Sequence, residues 1–184
     1  MENVDVLFSS GAPTGTIKSR TSVHKDGDWH RTVHLWVADK SGHVLIQRRS
    51  DNKEIDGGKW DVACAGHVLA GEDGPKTVIR EAAEELGLKV ILDDLEYLFS
   101  VNEERHAGGI NKREIHDVFM VVLASKLKET KFVIQESEVS EIRILHYSAL
   151  KERLDQGPTD FCDHREEYER VLEALPAFLS KSAR

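Results

Sequence analysis

Cysteine is scarce: Cys64 and Cys162 are the only two in a chain of 184 residues. A disulfide framework is therefore not what holds this chain together, and both sulfurs read as reduced thiols. Long apolar runs are missing too, and no segment approaches the roughly 18 residues of a membrane span. The opening Met1-Glu2-Asn3-Val4-Asp5 lacks the basic flank and apolar stretch of a secretory signal, which points to the cytoplasm. No basic cluster long enough to follow a nucleic-acid backbone accompanies the formal charge of -8, so a polymeric nucleic acid is not an expected partner. A small substrate that brings its own cation is less affected by that charge. Internal repeats, low-complexity tracts and Pro/Gly-rich linkers are absent as well, and a single domain over residues 1–184 is expected.

What remains is an ordinary globular composition, 40% hydrophobic and 32% charged. Val33 to Ala38, the turn residues Asp39-Lys40-Ser41-Gly42 and Val44 to Arg48 read as a strand pair. Residues 60–69 mix Trp, Val, Ala and Leu around Gly66. A helix is predicted from Pro75 to Leu86, with Asp73 to cap it and Gly87 to end it in the left-handed region. Glu96 to Val101, Val118 to Leu123 and Glu141 to Leu145 read as strands, the second apolar enough to be buried on both faces. Asn102 to Lys112, with its paired glycines, reads as a mobile loop bordering a pocket. Cys162 to Leu179 reads as a final amphipathic helix. Strands interleaved with helices predict an α/β sandwich whose mixed sheet is covered by helices.

The chemistry concentrates in Gly66-His67-Val68-Leu69-Ala70-Gly71-Glu72 and, seven residues on, Arg80-Glu81-Ala82-Ala83-Glu84-Glu85-Leu86-Gly87-Leu88. On a helix, Glu81, Glu84 and Glu85 fall within an arc of about 100°. Carboxylates this close repel one another, and a hard divalent cation is the obvious counter-charge. Ile79, Ala82, Ala83 and Leu86 occupy the other side, where burial would aim the carboxylates. A plain acidic surface paired with Arg80 and Lys76 is the competing reading. Such a cation neutralises phosphate charge, polarises phosphorus and lowers the pKa of a bound water.

Position by position, residues 66–88 resemble the signature of the Nudix hydrolases, with Ala82 where a larger aliphatic is usual. The resemblance implies the Nudix α/β/α sandwich, with an N-terminal arm over 1–29, a core over 30–150 and a C-terminal helix over 161–180. It implies Mg²⁺ or Mn²⁺ on Glu81, Glu85 and the Gly66 carbonyl, with Glu84 binding a second ion or helping to activate water. Arg80 would orient the glutamates, Glu72 would support the loop through Arg80 or a backbone amide, and Glu138, ahead of Glu136 or Glu141, would be the base from a later loop. The expected substrate is a small organic diphosphate, of nucleoside diphosphate or another type, cleaved at its phosphoanhydride.

Outside that segment, Pro13-Thr14-Gly15-Thr16, His24, Trp29-His30-Arg31, Gln47-Arg48-Arg49-Ser50, Lys53, Trp60-Asp61 and Ala65-Gly66-His67 resemble the isopentenyl-diphosphate isomerase-like branch. By that likeness Arg49 and Lys53 would contact the diphosphate, Glu114 would match the isomerase's catalytic glutamate region, and His24, His30 and His67 would match its metal-binding histidines. Two departures favour hydrolysis. Ala65 stands where the isomerase has its catalytic cysteine, with Cys64 one residue earlier and hence on the opposite strand face. Glu81 completes an acidic set that the isomerase lacks. Lys112 replaces a second metal-binding acid, and Gly57-Gly58 stands where Pro-Gly is usual. Trp36, Trp60 and Phe119 are either a stacking wall for a base or prenyl group, or core. An isomerase and a non-catalytic diphosphate-binding module remain the alternatives, and a homodimer exchanging its N-terminal strand is one assembly the sequence permits.

Overall fold

The computed structural model describes residues 2–107 and 110–181. Two strands, β1 (Asn3–Leu7) and β2 (Pro13–Ser19), form an antiparallel ribbon at the N-terminal end. A short helix α1 (Arg20–Asp26) follows, which the sequence reading had absorbed into an arm. Its signals are local: the Ser19 side chain accepts from the Ser22 amide, and Gly27 closes the helix at φ 73°. The ribbon is stapled to the rest by isolated bridges Val4 to Leu69 and Leu7 to Trp29.

Among the described residues the main sheet has seven strands. β3 (His30–Asp39) lies parallel to β8 (Ile110–Leu123) over its whole length, and β7 (Leu95–Ala107) returns antiparallel along the outer edge of β8. On its other edge β3 meets β4 (His43–Arg49) only at Val37 and Ala38; below them its partner becomes β6 (Cys64–His67), opposite Thr32 to Leu35. β4 meanwhile takes β5 (Trp60–Asp61) and, on its far edge, β9 (Val139–His146). The sheet is thus mixed, and β3 and β4 part company after two residue pairs, which opens a cleft between them.

Period-2 alternation on β3 divides the core. Val33, Leu35 and Val37 pack with Cys64, Val78, Ala82 and Leu86 beneath helix α2 (Gly74–Leu86). Trp36 and Ala38 pack on the opposite face with Leu150 of α3 (Tyr147–Asp155) and with Tyr168, Val171, Leu172 and Leu175 of α4 (Arg165–Lys181). The α/β/α sandwich expected from the sequence is the architecture observed. Trp36, Trp60 and Phe119 are all buried in these two clusters, so none of them forms a stacking wall.

Three further expectations change. Asn102 to Lys112 is no loop: the strands run through to Ala107 and restart at Ile110, and the paired glycines between them lie outside the described residues. The charged residues that disguise this hairpin pair across it, Glu104 with Arg113 at 2.6 Å and Glu103 with Lys112 at 2.9 Å. Ala83 is exposed, so the packing face of α2 is Val78, Ala82 and Leu86 with partly buried Ile79. The last helix starts at Arg165, because Trp60 first binds the preceding segment as a ladder, its amide donating to Asp160 and its carbonyl accepting from Cys162, both at 2.8 Å.

Candidate active site

Helix α2 owes its place to both ends. The Asp73 side chain accepts from the Lys76 amide at 2.9 Å, Pro75 occupies the first turn, and Gly87 at φ 62° turns the chain away. Lys76 pairs with Asp73 at 3.2 Å, so it is no partner for the glutamates. With the apolar stripe packed on the sheet, the three carboxylates line a cavity of ≈ 670 Å³ together with Gly66, Arg80, Glu138, Arg49, Lys53, His67 and Glu114. His24 borders it too, whereas Glu72, His30, Glu136 and Glu141, also singled out from the sequence, do not line it.

The carboxylates grade in exposure: Glu85 is buried, Glu81 half-buried and Glu84 exposed. Burial, reinforced by the charges of Glu81 and Glu138, pushes the Glu85 carboxyl up to about 8. Burial raises Glu81 as well, opposed by Arg80. Arg80 is the hub of the cluster, donating to Glu81 at 2.7 Å, to Glu84 and Glu72 at 3.3 Å, and to the His67 carbonyl at 3.4 Å. Glu72 also accepts from the Thr77 hydroxyl at 3.0 Å. The Glu85 carboxylate, by contrast, accepts from the Gln47 amide at 3.3 Å and from the Cys64 thiol, and no Lys, Arg or His among the described residues forms an ion pair with it. Gly66 sits so close to the carboxylate of Glu81 that a Cβ there would collide with it. Carboxylate oxygens crowded around the unpaired Glu85 fit a hard divalent ion.

Glu138 is brought in from the loop before β9, whose backbone is tied to the end of α2 (Gln135 amide to Glu85 carbonyl, 3.0 Å) and to β4 (Ser50 amide to Glu138 carbonyl, 2.8 Å). Its side chain accepts from Lys53 in a short ion pair. Glu141 is exposed and pairs with Arg143 at 2.9 Å, and neither it nor Glu136 lines the cavity. Arg49 reaches Asp61 at 3.3 Å.

A second constellation lies across the cavity. His24, His30, His67 and Glu114 place one donor atom each within 4.8 Å of one another. Glu114 Oε1 is 3.6 Å from His30 Nε2 and 3.8 Å from His67 Nε2, and His30 Nε2 and His24 Nδ1 are buried without a hydrogen-bond partner. Burial, with the charge of Arg20, drives the His67 pKa well down, leaving a neutral ring with a lone pair to offer. Three imidazoles and a carboxylate suit a transition metal. Lys112 points at the same carboxylate, 3.2 Å from Glu114 Oε2, where a second acid was expected to be replaced. Cys64 lies in the core under α2 while Ala65 faces the cavity, so burial and the charge of Glu85 raise the thiol well above its usual range and keep it inert.

Sequence reasoning missed a buried polar network behind this site: His34, His116, His164, Glu103 and Glu167, with Asp61 and Cys162. The signal was present as polar residues at inward positions of apolar strands, such as His34 between Val33 and Leu35 and Gln47 after Ile46.

The NUDIX domain family matches residues 28–164 of the chain. Nudix hydrolase 3 of Arabidopsis thaliana is 36% identical over 158 residues, 84% of this chain and only 20% of that protein, so the chain spans about a fifth of that relative's length. An isopentenyl-diphosphate Delta-isomerase of Escherichia coli is 27% identical over 160 residues, covering 87% of this chain and 85% of the isomerase. Among solved structures, a Deinococcus radiodurans protein superposes with a TM-score of 0.71 at 21% identity, over 92% of this chain and 98% of that one, which speaks for the fold. The matched segment holds the whole acidic helix and its glycine, and the chain belongs to the Nudix family.

Proposed function

We propose that the chain is a hydrolase of a phosphoanhydride in a small organic diphosphate, with Mg²⁺ or Mn²⁺ held by Glu81, Glu85 and the Gly66 carbonyl and with Glu84 available to a second ion. When bound, such an ion neutralises phosphate charge and acidifies a coordinated water. The chain's own residues do the rest. Arg80 aligns Glu81 and Glu84, Lys53 and Arg49 offer cations to the phosphates, and Glu138 stands across the cavity as the acceptor for the proton of the attacking water. The observation that carries this reading is Glu85, buried near the charges of Glu81 and Glu138 and in no ion pair among the described residues, a costly arrangement that a divalent ion would relieve. Glu85→Gln is expected to lower metal-dependent phosphate release by about 10²-fold or more while the circular dichroism spectrum is kept. Near-normal turnover in that variant overturns the assignment.

The His24/His30/His67/Glu114 group favours a second reading, a prenyl-diphosphate isomerase. Ala65 at the thiol position and Lys112 against Glu114 oppose it. Incubation with isopentenyl diphosphate decides, through dimethylallyl diphosphate in one case and released phosphate in the other; tight binding without either product would mark a non-catalytic module.

A further inference from the structure

The acidic helix occupies one end of the cavity. Its other end, beyond Ala65, is walled by Thr32, His34, Asp61, Lys112, Cys162 and His164, none of which the hydrolysis uses. Five of the six are buried, and Lys112 nearly so. They belong to one connected network. Asp61 accepts from Arg49 at 3.3 Å and lies 3.5 Å from His164 Nε2; His164 Nδ1 is 3.4 Å from Glu103, which also takes Lys112 at 2.9 Å and His116 at 2.7 Å. His34 donates to Glu167 at 2.7 Å. Burial works against Asp61 and Glu103, yet the charges of His164 and Arg49 on the first, and the hydrogen bonds of His116 and His164 to the second, hold both well below the usual carboxylate range.

Small-molecule pockets are mostly apolar and aromatic. This one differs: among the described residues no Phe, Tyr or Trp lines it, and its aliphatic wall is Ile55, Ala65 and Ile110. A prenyl chain laid in the deep end would lie against the polar groups of Asp61, Lys112 and His164 and return no hydrogen bond. A nucleobase would find no free aromatic plate, since His34 stacks on His116 with centroids 4.2 Å apart and His30 on His67 at 5.2 Å. Hydroxyl groups, in contrast, can donate to the Asp61 carboxylate and accept from the Lys112 ammonium, both of which line that end of the cavity. The ≈ 670 Å³ must also hold the diphosphate and its cation, which limits the organic part to a compact group.

We infer that the deep end of the cavity is a subsite for a hydroxyl-rich group of monosaccharide or polyol size, so that the substrate is a sugar or polyol diphosphate. The word diphosphate rests on the hydrolase reading above; the subsite does not. Lys112 and Asp61 contact the hydroxyls, and His164 positions Asp61.

Calorimetric titration in Mg²⁺ with the methylenediphosphonate analogues of glucose 1-diphosphate, ADP and isopentenyl diphosphate tests the subsite without needing turnover. The glucose analogue is expected to bind about tenfold or more tightly than the other two, and Lys112→Met and His164→Leu are each expected to narrow that ratio to under about threefold. The two variants guard against one failing to fold. Equal or tighter binding of the adenosine or prenyl analogue, no binding of any of the three, or a ratio that survives both substitutions overturns the inference. Selective binding with no phosphate released from the hydrolysable parents supports the subsite and removes the hydrolase; release without selectivity does the reverse.

Discussion

Gly66 shows how little room the site leaves at single positions. A methyl group there meets the Glu81 carboxylate, which is the mobile end of a side chain and can swing aside without disturbing β6. Gly66→Ala is therefore expected to lower turnover by about 10²-fold, because misplacing one ligand by an ångström costs that much. Its urea midpoint should stay within about 1 kcal/mol of the parent's stability. A variant with full activity would show that Glu81 is not held where the cation is needed. The carboxylates themselves were legible in the sequence, since helical spacing alone places Glu81, Glu84 and Glu85 on one side. Their unequal burial was not, because Glu85 is covered by Gln47 of β4 and by the loop carrying Glu138, which lie 38 and 53 positions away in the chain.

At the level of the element, α2 is stabilised by signals that a reader of the chain can see: Asp73, Pro75 and Gly87 all act as expected. Removing the cap in Asp73→Ala is expected to cost about 1 kcal/mol in equilibrium urea unfolding and to loosen the helix start. No change in stability would mean that tertiary packing alone holds the first turn. Other elements were hidden. Glu96 to Val101 of β7 and Val118 to Leu123 of β8 were legible as strands, but their far ends carry charge on residues that face one another, so the pairing there is written in Glu103, Glu104, Lys112 and Arg113 only once the strands are side by side. α3 escaped for another reason: its nine residues bury only Leu150, too little to impose a helical period.

Across the whole molecule, the buried acids make stability depend on metal and on pH. The Glu85 carboxyl titrates near 8 when folded and at its ordinary low value when unfolded, so between those values the folded state binds the extra proton. Its contribution is complete at acid pH and is lost as pH rises toward about 8. The melting temperature of the parent protein in EDTA is expected to fall between pH 6.5 and 8.5 relative to Glu85→Gln, which cannot ionise, and saturating Mg²⁺ should reverse the difference. Parallel curves for the two proteins in EDTA would show that Glu85 is not desolvated. By itself the sequence determined the family, the sandwich and the acidic helix, because those depend on local periodicity, caps and a fixed motif. The meeting of His24, His30 and His67 with Glu114 at one point and the polar floor of Asp61, Lys112 and His164 were decided only in three dimensions. The first needs β3 paired with both β6 and β8, the second the ladder between Trp60 and Cys162, and contacts across such separations leave no periodic trace along the chain.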